Sequence, residues 1–303
     1  MIDTYRERLR RLLSRYHPAG VLLSDTEVHE AAEMLRKGRG STRQLERAHW
    51  VCDSAMHPVL QQPIPSAFRL SAFAPATTAC ALGMLSSRTP IGLVFYHWLY
   101  QSHSAATRYC NYADTSRPLN GQRMLTAYAV STAAACTIAV GSLVAVASNP
   151  RLKPLGLVMP HLAVCVAGAS STVLNNEHDL NEGVQVSDPA GRVVGVSQQA
   201  AREGVGRAVL LQSVLVPACA LLAPVLAMRT LVVPRLMYTR PLALWPISVG
   251  LVVGGVCALT PAAAAAMPRR VGVPRSRMEP EFQQLRDDAG RTVEVLYSSR
   301  VLY

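Results

Sequence analysis

From residue 71 to residue 268 the chain is a succession of long apolar runs separated by short polar breaks. Residues 124–148 form the cleanest run, and about 20 apolar residues suffice to cross a hydrocarbon core. Residues 155–174, 207–228 and 242–267 repeat the pattern. Residues 71–87 are shorter and interrupted by Pro75, so they have the length of a half-span. The run 90–112 differs, because polar residues recur within it. His97, Gln101, Ser104, Arg108 and Asn111 are spaced four, three, four and three, which on a helix gathers all five within an arc of roughly 80°. Ionisable residues at membrane depth are rare and usually face a bundle interior or a water-filled path. The pattern predicts an all-α membrane protein: a bundle of five or six transmembrane helices over residues 71–268, with a polar interior.

The flanks read differently. Residues 1–70 are polar with helical periodicity and predict a soluble or amphipathic helical region. Tyr5, Leu9, Leu12 and Tyr16 recur at helical spacing in an Arg-rich opening segment. Ser24 and Glu27 form an S-x-x-E capping box for a helix that Gly38 can close. A further helix runs to His57-Pro58, where proline stops it. Between the fourth and fifth apolar runs lies a polar loop, 175–207, in which VQVSDPAGRVVGV reads as two short strands about a D-P-A-G turn. Residues 269–303 are expected to form an extended tail. The opening segment has no apolar core of the secretory kind, so no cleaved presequence is expected.

Composition sharpens the membrane reading. Only 16% of the residues are charged while 50% are hydrophobic, against about 25% charged in a soluble domain. The net charge of +11 and a pI near 9.7 raise nucleic acid as a partner. The arginines, however, lie in termini and loops beside apolar runs, as membrane orientation requires, and no stacking aromatics accompany them. The lipid bilayer is the expected partner and nucleic acid is not. Seven cysteines are scattered singly without a C-x-x-C, so neither a metal site nor a disulfide framework is expected. No P-loop, dinucleotide fingerprint or nucleophile elbow is present, so no cofactor is expected and an enzyme is disfavoured. Gly250 and Gly254 form a G-x-x-x-G that predicts a helix-packing surface.

The order of features resembles the sideroflexin family of mitochondrial inner-membrane carriers, and looks closest to the branch of the fifth vertebrate paralogue. The resemblance covers nearly the whole chain. It rests on His57-Pro58 with Phe68-Arg69 shortly after, on HWLYQSHSA with Tyr109 and Asn111, and on LNEGVQVSDPAGRVVGVSQQAAR, which holds Asp188, Gly191, Gly195 and Ser197. Met267-Pro268 and the tail MEPEF complete it. The resemblance implies a helical bundle of about five spans in the mitochondrial inner membrane. It also implies a secondary transporter of small amino acids, serine-like, or of related carboxylates. The family's Asn-rich motif is altered here, with Tyr100, Ser104 and Arg108 in place of three asparagines. That erosion motivates the alternative of a non-transporting scaffold or assembly factor that holds respiratory-complex subunits.

Within the stripe, Gln101 and Ser104 offer neutral hydrogen-bond partners for a zwitterion or carboxylate, and Arg108 a fixed cation with fork geometry; Gln101 and Ser102 lie deeper, placed for a pathway or for inter-helix bonding. The plainer reading puts Arg108 and Asn111 at the membrane edge, with the guanidinium reaching the headgroups. His97 and His103 stand without a partner at ligand spacing, as packing histidines do. Residues 1–70 carry eleven basic side chains, which by the positive-inside rule would face the matrix.

Overall fold

The computed structural model describes residues 4–57, 60–87, 89–112, 120–152, 156, 158–236, 241–268, 270–285 and 292–301. Three helices open the chain: α1 (Tyr5–Arg15), α2 (Asp25–Lys37) and α3 (Thr42–Ala55). Each starts at a hydroxyl residue whose side chain accepts the N3 backbone N–H, while the N3 side chain returns a bond. The boxes are Thr4 with Glu7, Ser24 with Glu27 and Ser41 with Gln44. Gly38, at φ 60°, ends α2 in the left-handed conformation that glycine adopts without strain. α2 and α3 pair through Val28, Ala31, Ala48, Val51 and Ala55.

The remaining long helices are α4 (Phe73–Ser86), α5 (Pro90–Cys110), α6 (Gly121–Ser148), α7 (Met159–Asn175), α9 (Gln198–Val232) and α10 (Leu244–Ala266). A short α8 (Glu177–Glu182) follows α7. α6, α9 and α10 contain 28, 35 and 23 residues and are apolar enough to cross a membrane, which fits a multi-pass membrane protein. α5 has 21 residues, but its polar stripe dilutes the apolar content. Among the described residues these rods close a ring: α4 packs on α5, α5 on α6, α6 on α7, α7 on α9, α9 on α10 and α10 on α4. Cys80, Ala81 and Met84 of α4, Val164 of α7, Ala220 and Leu221 of α9, and Val252 and Val256 of α10 form its apolar core.

Two rods are locally unwound. α9 takes π-type turns at Leu210–Leu215, Ala218–Leu222 and Met228–Val232, and α10 takes one at Gly255–Leu259. Pro217, Pro224 and Pro261 lie beside these turns, and each proline removes an N–H from the helical ladder. The Thr260 hydroxyl donates to the Gly255 carbonyl at 3.2 Å and so satisfies one group that the irregular backbone frees. The two rods touch where Gly255 meets the Cys219 carbonyl, closely enough that a Cβ on Gly255 would collide with it. Gly250 and Gly254 are exposed, and a Cβ on either would meet nothing within 4 Å. Within the chain, the packing glycine of this helix is therefore Gly255 and not the predicted pair. Gly255→Ala should destabilise the bundle by about 1–3 kcal/mol through overpacking, and Gly250→Ala should leave it unchanged, both read as melting temperature in micelles.

The polar loop is shorter than the sequence pattern predicts. AAREGVGRA belongs to α9, because Ala200, Ala201, Gly204, Val205 and Ala208 put a continuous buried face on its first turns. The hairpin is present, with β1 (Val184–Ser187) antiparallel to β2 (Val193–Ser197). The tail is not a free extended strand. β3 (Arg270–Pro274) and β4 (Val295–Val301) return to the hairpin and complete an antiparallel sheet in the order β2-β1-β4-β3. Val184, Val186, Val271, Val273, Phe282 and Leu296 close its core against Ala200 and Ala201 of α9. This sheet joins the helical domain at one end of the ring. There Asn111 and His103 of α5 meet Phe68 and Ala67, Arg123 of α6 approaches Glu177, and Arg8 of α1 reaches Ala265 at the end of α10.

Candidate functional site: a buried polar seam

α5 begins where Thr89 accepts the Gly92 N–H at 3.2 Å and Pro90 takes the first helical position. That start sets the rotation of the helix, and Leu93, His97 and Gln101 form its buried face. His97 is 0% exposed and Gln101 5%. Neither imidazole nitrogen of His97 has a hydrogen-bond partner among the described residues, and neither does the Gln101 amide nitrogen. The same holds for the buried hydroxyls of Thr132 on α6, Thr172 on α7 and Ser213 on α9. Ser213 lies against α7 at Gly168, where a Cβ would come within 3.0 Å of its hydroxyl oxygen.

Each buried polar atom without a partner costs about 1–3 kcal/mol, and native proteins leave few of them. Such atoms occur here on four consecutive helices of the ring, α5, α6, α7 and α9.

The other stripe residues divide. Ser104 is half-buried, one turn beyond Tyr100 on the same helix. Arg108 is half-buried at the domain end of α5, with no hydrogen bond or ion pair to a described residue. Asn111 is a tether: its amide donates to the Phe68 carbonyl and to the Thr107 carbonyl, both at 2.8 Å. His103 bonds the Ala67 carbonyl at 2.9 Å beside the Phe68 ring. Ser102 points to α6, 2.8 Å from the Tyr128 hydroxyl, and so lies outside the seam.

The family-motif residues organise the regions that flank the ring. Arg69 is 1% exposed. Its Nε donates to Ile64 O at 2.8 Å, its Nη1 to Gly20 O at 3.1 Å and Leu23 O at 2.6 Å, and its Nη2 to Asp25 at 3.1 Å. His57 accepts the Leu60 N–H at 3.1 Å, while Pro58 lies outside the described residues. In the hairpin turn, Asp188 accepts from the Arg192 backbone at 2.9 Å, and its second oxygen binds the Arg192 guanidinium at 3.0 Å. Those bonds hold the Asp188 carboxyl below its usual range. Gly191, at φ 89°, makes the turn, and a Cβ on Gly195 would press to 2.9 Å from the Phe282 ring. Pro268 is exposed just past the end of α10.

The role that sequence reasoning missed is that of Glu279, within the tail MEPEF. Its carboxylate accepts the Ser197 hydroxyl at 2.7 Å and the Gln199 N–H at 2.9 Å, capping α9 with the tail. Burial raises its pKa, but these bonds outweigh burial and hold it below the usual carboxylate range. The stabilisation is therefore complete above the unfolded value near pH ~4.3 and is lost as pH falls through the lower folded value. Glu279→Ala should loosen this junction by about 2 kcal/mol at neutral pH. Hydrogen exchange at the first turn of α9 should speed up accordingly, and the difference from the parent should vanish in acid.

The family model described as Sideroflexins matches residues 2–302. Sideroflexin-3 of Homo sapiens is 31% identical over 314 residues, which take in 99% of this chain and 95% of that protein. Sideroflexin-5 of Homo sapiens is 28% identical, over 91% of this chain and 85% of that protein. Sideroflexin fsf1 of Schizosaccharomyces pombe is 27% identical, over 96% and 94%. No solved structure matches.

Proposed function

Because this chain belongs to the sideroflexin family, we propose that it is a secondary carrier that moves a small polar solute through its helical ring along the buried face of α5. The observation that carries this reading is the buried pair His97 and Gln101, whose imidazole and amide nitrogens lack partners among the described residues, inside a ring that includes three rods long and apolar enough to cross a membrane. The solute class is a small amino acid, serine-like, or a related carboxylate. Gln101 and Ser104 suit the neutral and zwitterionic parts, and Arg108 suits a carboxylate. The irregular turns of α9 and α10 beside Pro217, Pro224 and Pro261 give the ring its movable wall.

In this reading α4, α5 and α7 join α6, α9 and α10 as spans. The α4–α5 hairpin leaves the domain end and returns to it, which Asn111, His103, Phe68 and Ala67 support. α6 with α7, and α9 with α10, do the same. Six passes put both termini on one side, and the eleven basic residues of positions 1–70 orient that side to the matrix of the mitochondrial inner membrane.

Uptake of labelled serine, alanine and citrate into proteoliposomes tests the proposal. Saturable flux that falls in Arg108→Ala is expected for a carboxylate-bearing solute. An absence of flux for all three from well-folded protein would reject transport of these solutes and turn attention to a scaffold that holds partner subunits.

A further inference from the structure

We propose that the outward face of α1 is a binding surface for anionic phospholipid headgroups. α1 is held at both ends by different rods. Near its start, the Arg8 guanidinium donates to Ala265 O at 2.9 Å and the Tyr5 hydroxyl to Ala262 O at 3.5 Å. These carbonyls lie in the last two turns of α10, toward the helix end that carries partial negative charge. At its other end, Tyr16 packs edge-to-face on Phe73 at the start of α4, with ring centroids 5.6 Å apart. Trp50 Nε1 donates to Ser14 O at 3.1 Å and fixes the same end to α3. α10 and α4 are neighbours in the ring, so a helix tied to the end of one and the start of the other lies across them, at the level where the spans leave the hydrocarbon.

The chemistry of its two faces fits that level. Leu12 is buried toward the protein. On the outward side Leu13 is 44% exposed, on the same face as Arg6 and Arg10, both exposed and without an ion-pair partner among the described residues. At 100° per residue these three fall within an arc of roughly 60°. An exposed apolar side chain beside two guanidiniums without ion-pair partners among the described residues, lying at a membrane boundary, matches an acyl-chain surface with phosphates above it. Arginine binds phosphate through its planar fork, and each basic residue near an anionic surface strengthens binding about fivefold. The inference rests on α10 crossing the bilayer and is independent of whether any solute is carried.

The test uses the full chain in mild detergent, offered equal amounts of phosphatidylglycerol and phosphatidylcholine, with retained lipid counted by native mass spectrometry. The parent should favour phosphatidylglycerol. Arg6→Gln with Arg10→Gln should reduce that preference by tenfold or more. Arg39→Gln with Arg43→Gln, an equal charge loss around the α2–α3 turn, should leave it near the parent's. Arg6→Lys with Arg10→Lys should keep most of the preference, which separates loss of charge from loss of fold. Equal preference in the two glutamine pairs would overturn the proposal, as would loss in the lysine pair. Displacement of the lipid by millimolar inorganic phosphate would instead mark a free-anion site, and a dimer lost in the Arg6/Arg10 glutamine pair a contact between copies; either result overturns the lipid assignment. Absent flux in proteoliposomes with an intact lipid preference would reject the carrier reading alone.

Discussion

Arg69→Met is expected to loosen the N-terminal region, where Arg69 ties Gly20, Leu23 and Asp25 to Ile64, while leaving the spans folded. Methionine keeps the length of the side chain and removes every donor. Ile64, Gly20 and Leu23 would lose the charged group that their carbonyls share. Hydrogen bonds to a charged group contribute about 1.5–3 kcal/mol each, and stranded buried acceptors cost a further 1–3. Because neighbouring effects do not add, a total near 3–5 kcal/mol is expected. Asp25 is an exposed partner, so its ion pair contributes little to that figure. Lysine should not rescue the variant, since one ammonium cannot reproduce the fork that reaches two segments at once. In micelles, limited proteolysis within residues 17–65 should accelerate by well over tenfold, with helical circular dichroism nearly unchanged. An Arg69→Met protein that resists protease as the parent does would show that the guanidinium does not hold these segments together.

Gln101→Leu is expected to move stability and function in opposite directions. The Gln101 amide nitrogen is buried without a partner among the described residues, so an apolar side chain of similar size removes a desolvation cost of about 1–3 kcal/mol. The melting temperature should rise by a few degrees. Flux should fall by at least tenfold, because the solute loses a hydrogen-bond partner at the centre of the seam. A residue serving only to pack the bundle would show the reverse, with lower stability and preserved flux.

Local signals carried much of the fold into the sequence. The Ser24–Glu27 box, the D-P-A-G turn and the four-three-four-three stripe each involve residues within a few positions, where periodicity and turn chemistry are readable. The stripe placed His97 and Gln101 on the buried face because an α-helix allows no other arrangement of that spacing. What sequence could not reveal is non-local. β4 pairs with β1 across more than a hundred residues, and no periodicity in the tail names its partner strand. Glu279 caps α9 from the tail, although only the residues just before a helix are usually searched for caps. The glycine contact fell on Gly255 and not on Gly250 or Gly254, because in an apolar helix composition does not mark which side faces lipid. Asn111 and Ser102 looked like members of one path, yet neighbouring elements claim both through Phe68 and Tyr128.

The central claim is that the buried face of α5 meets the transported solute, and cysteine accessibility tests it most directly. In a background with the seven native cysteines replaced, single cysteines at Gln101, Ser104 and Arg108 would be compared with cysteines at Phe95 and Trp98. The latter two are 48% and 45% exposed on the outer side of the ring. A membrane-impermeant thiol reagent should label the first three positions, with solute protecting position 104, and should leave 95 and 98 to lipid-soluble reagents alone. Silence at 101, 104 and 108 toward the water-soluble reagent, in protein that carries solute, would contradict the account and place the path elsewhere in the ring.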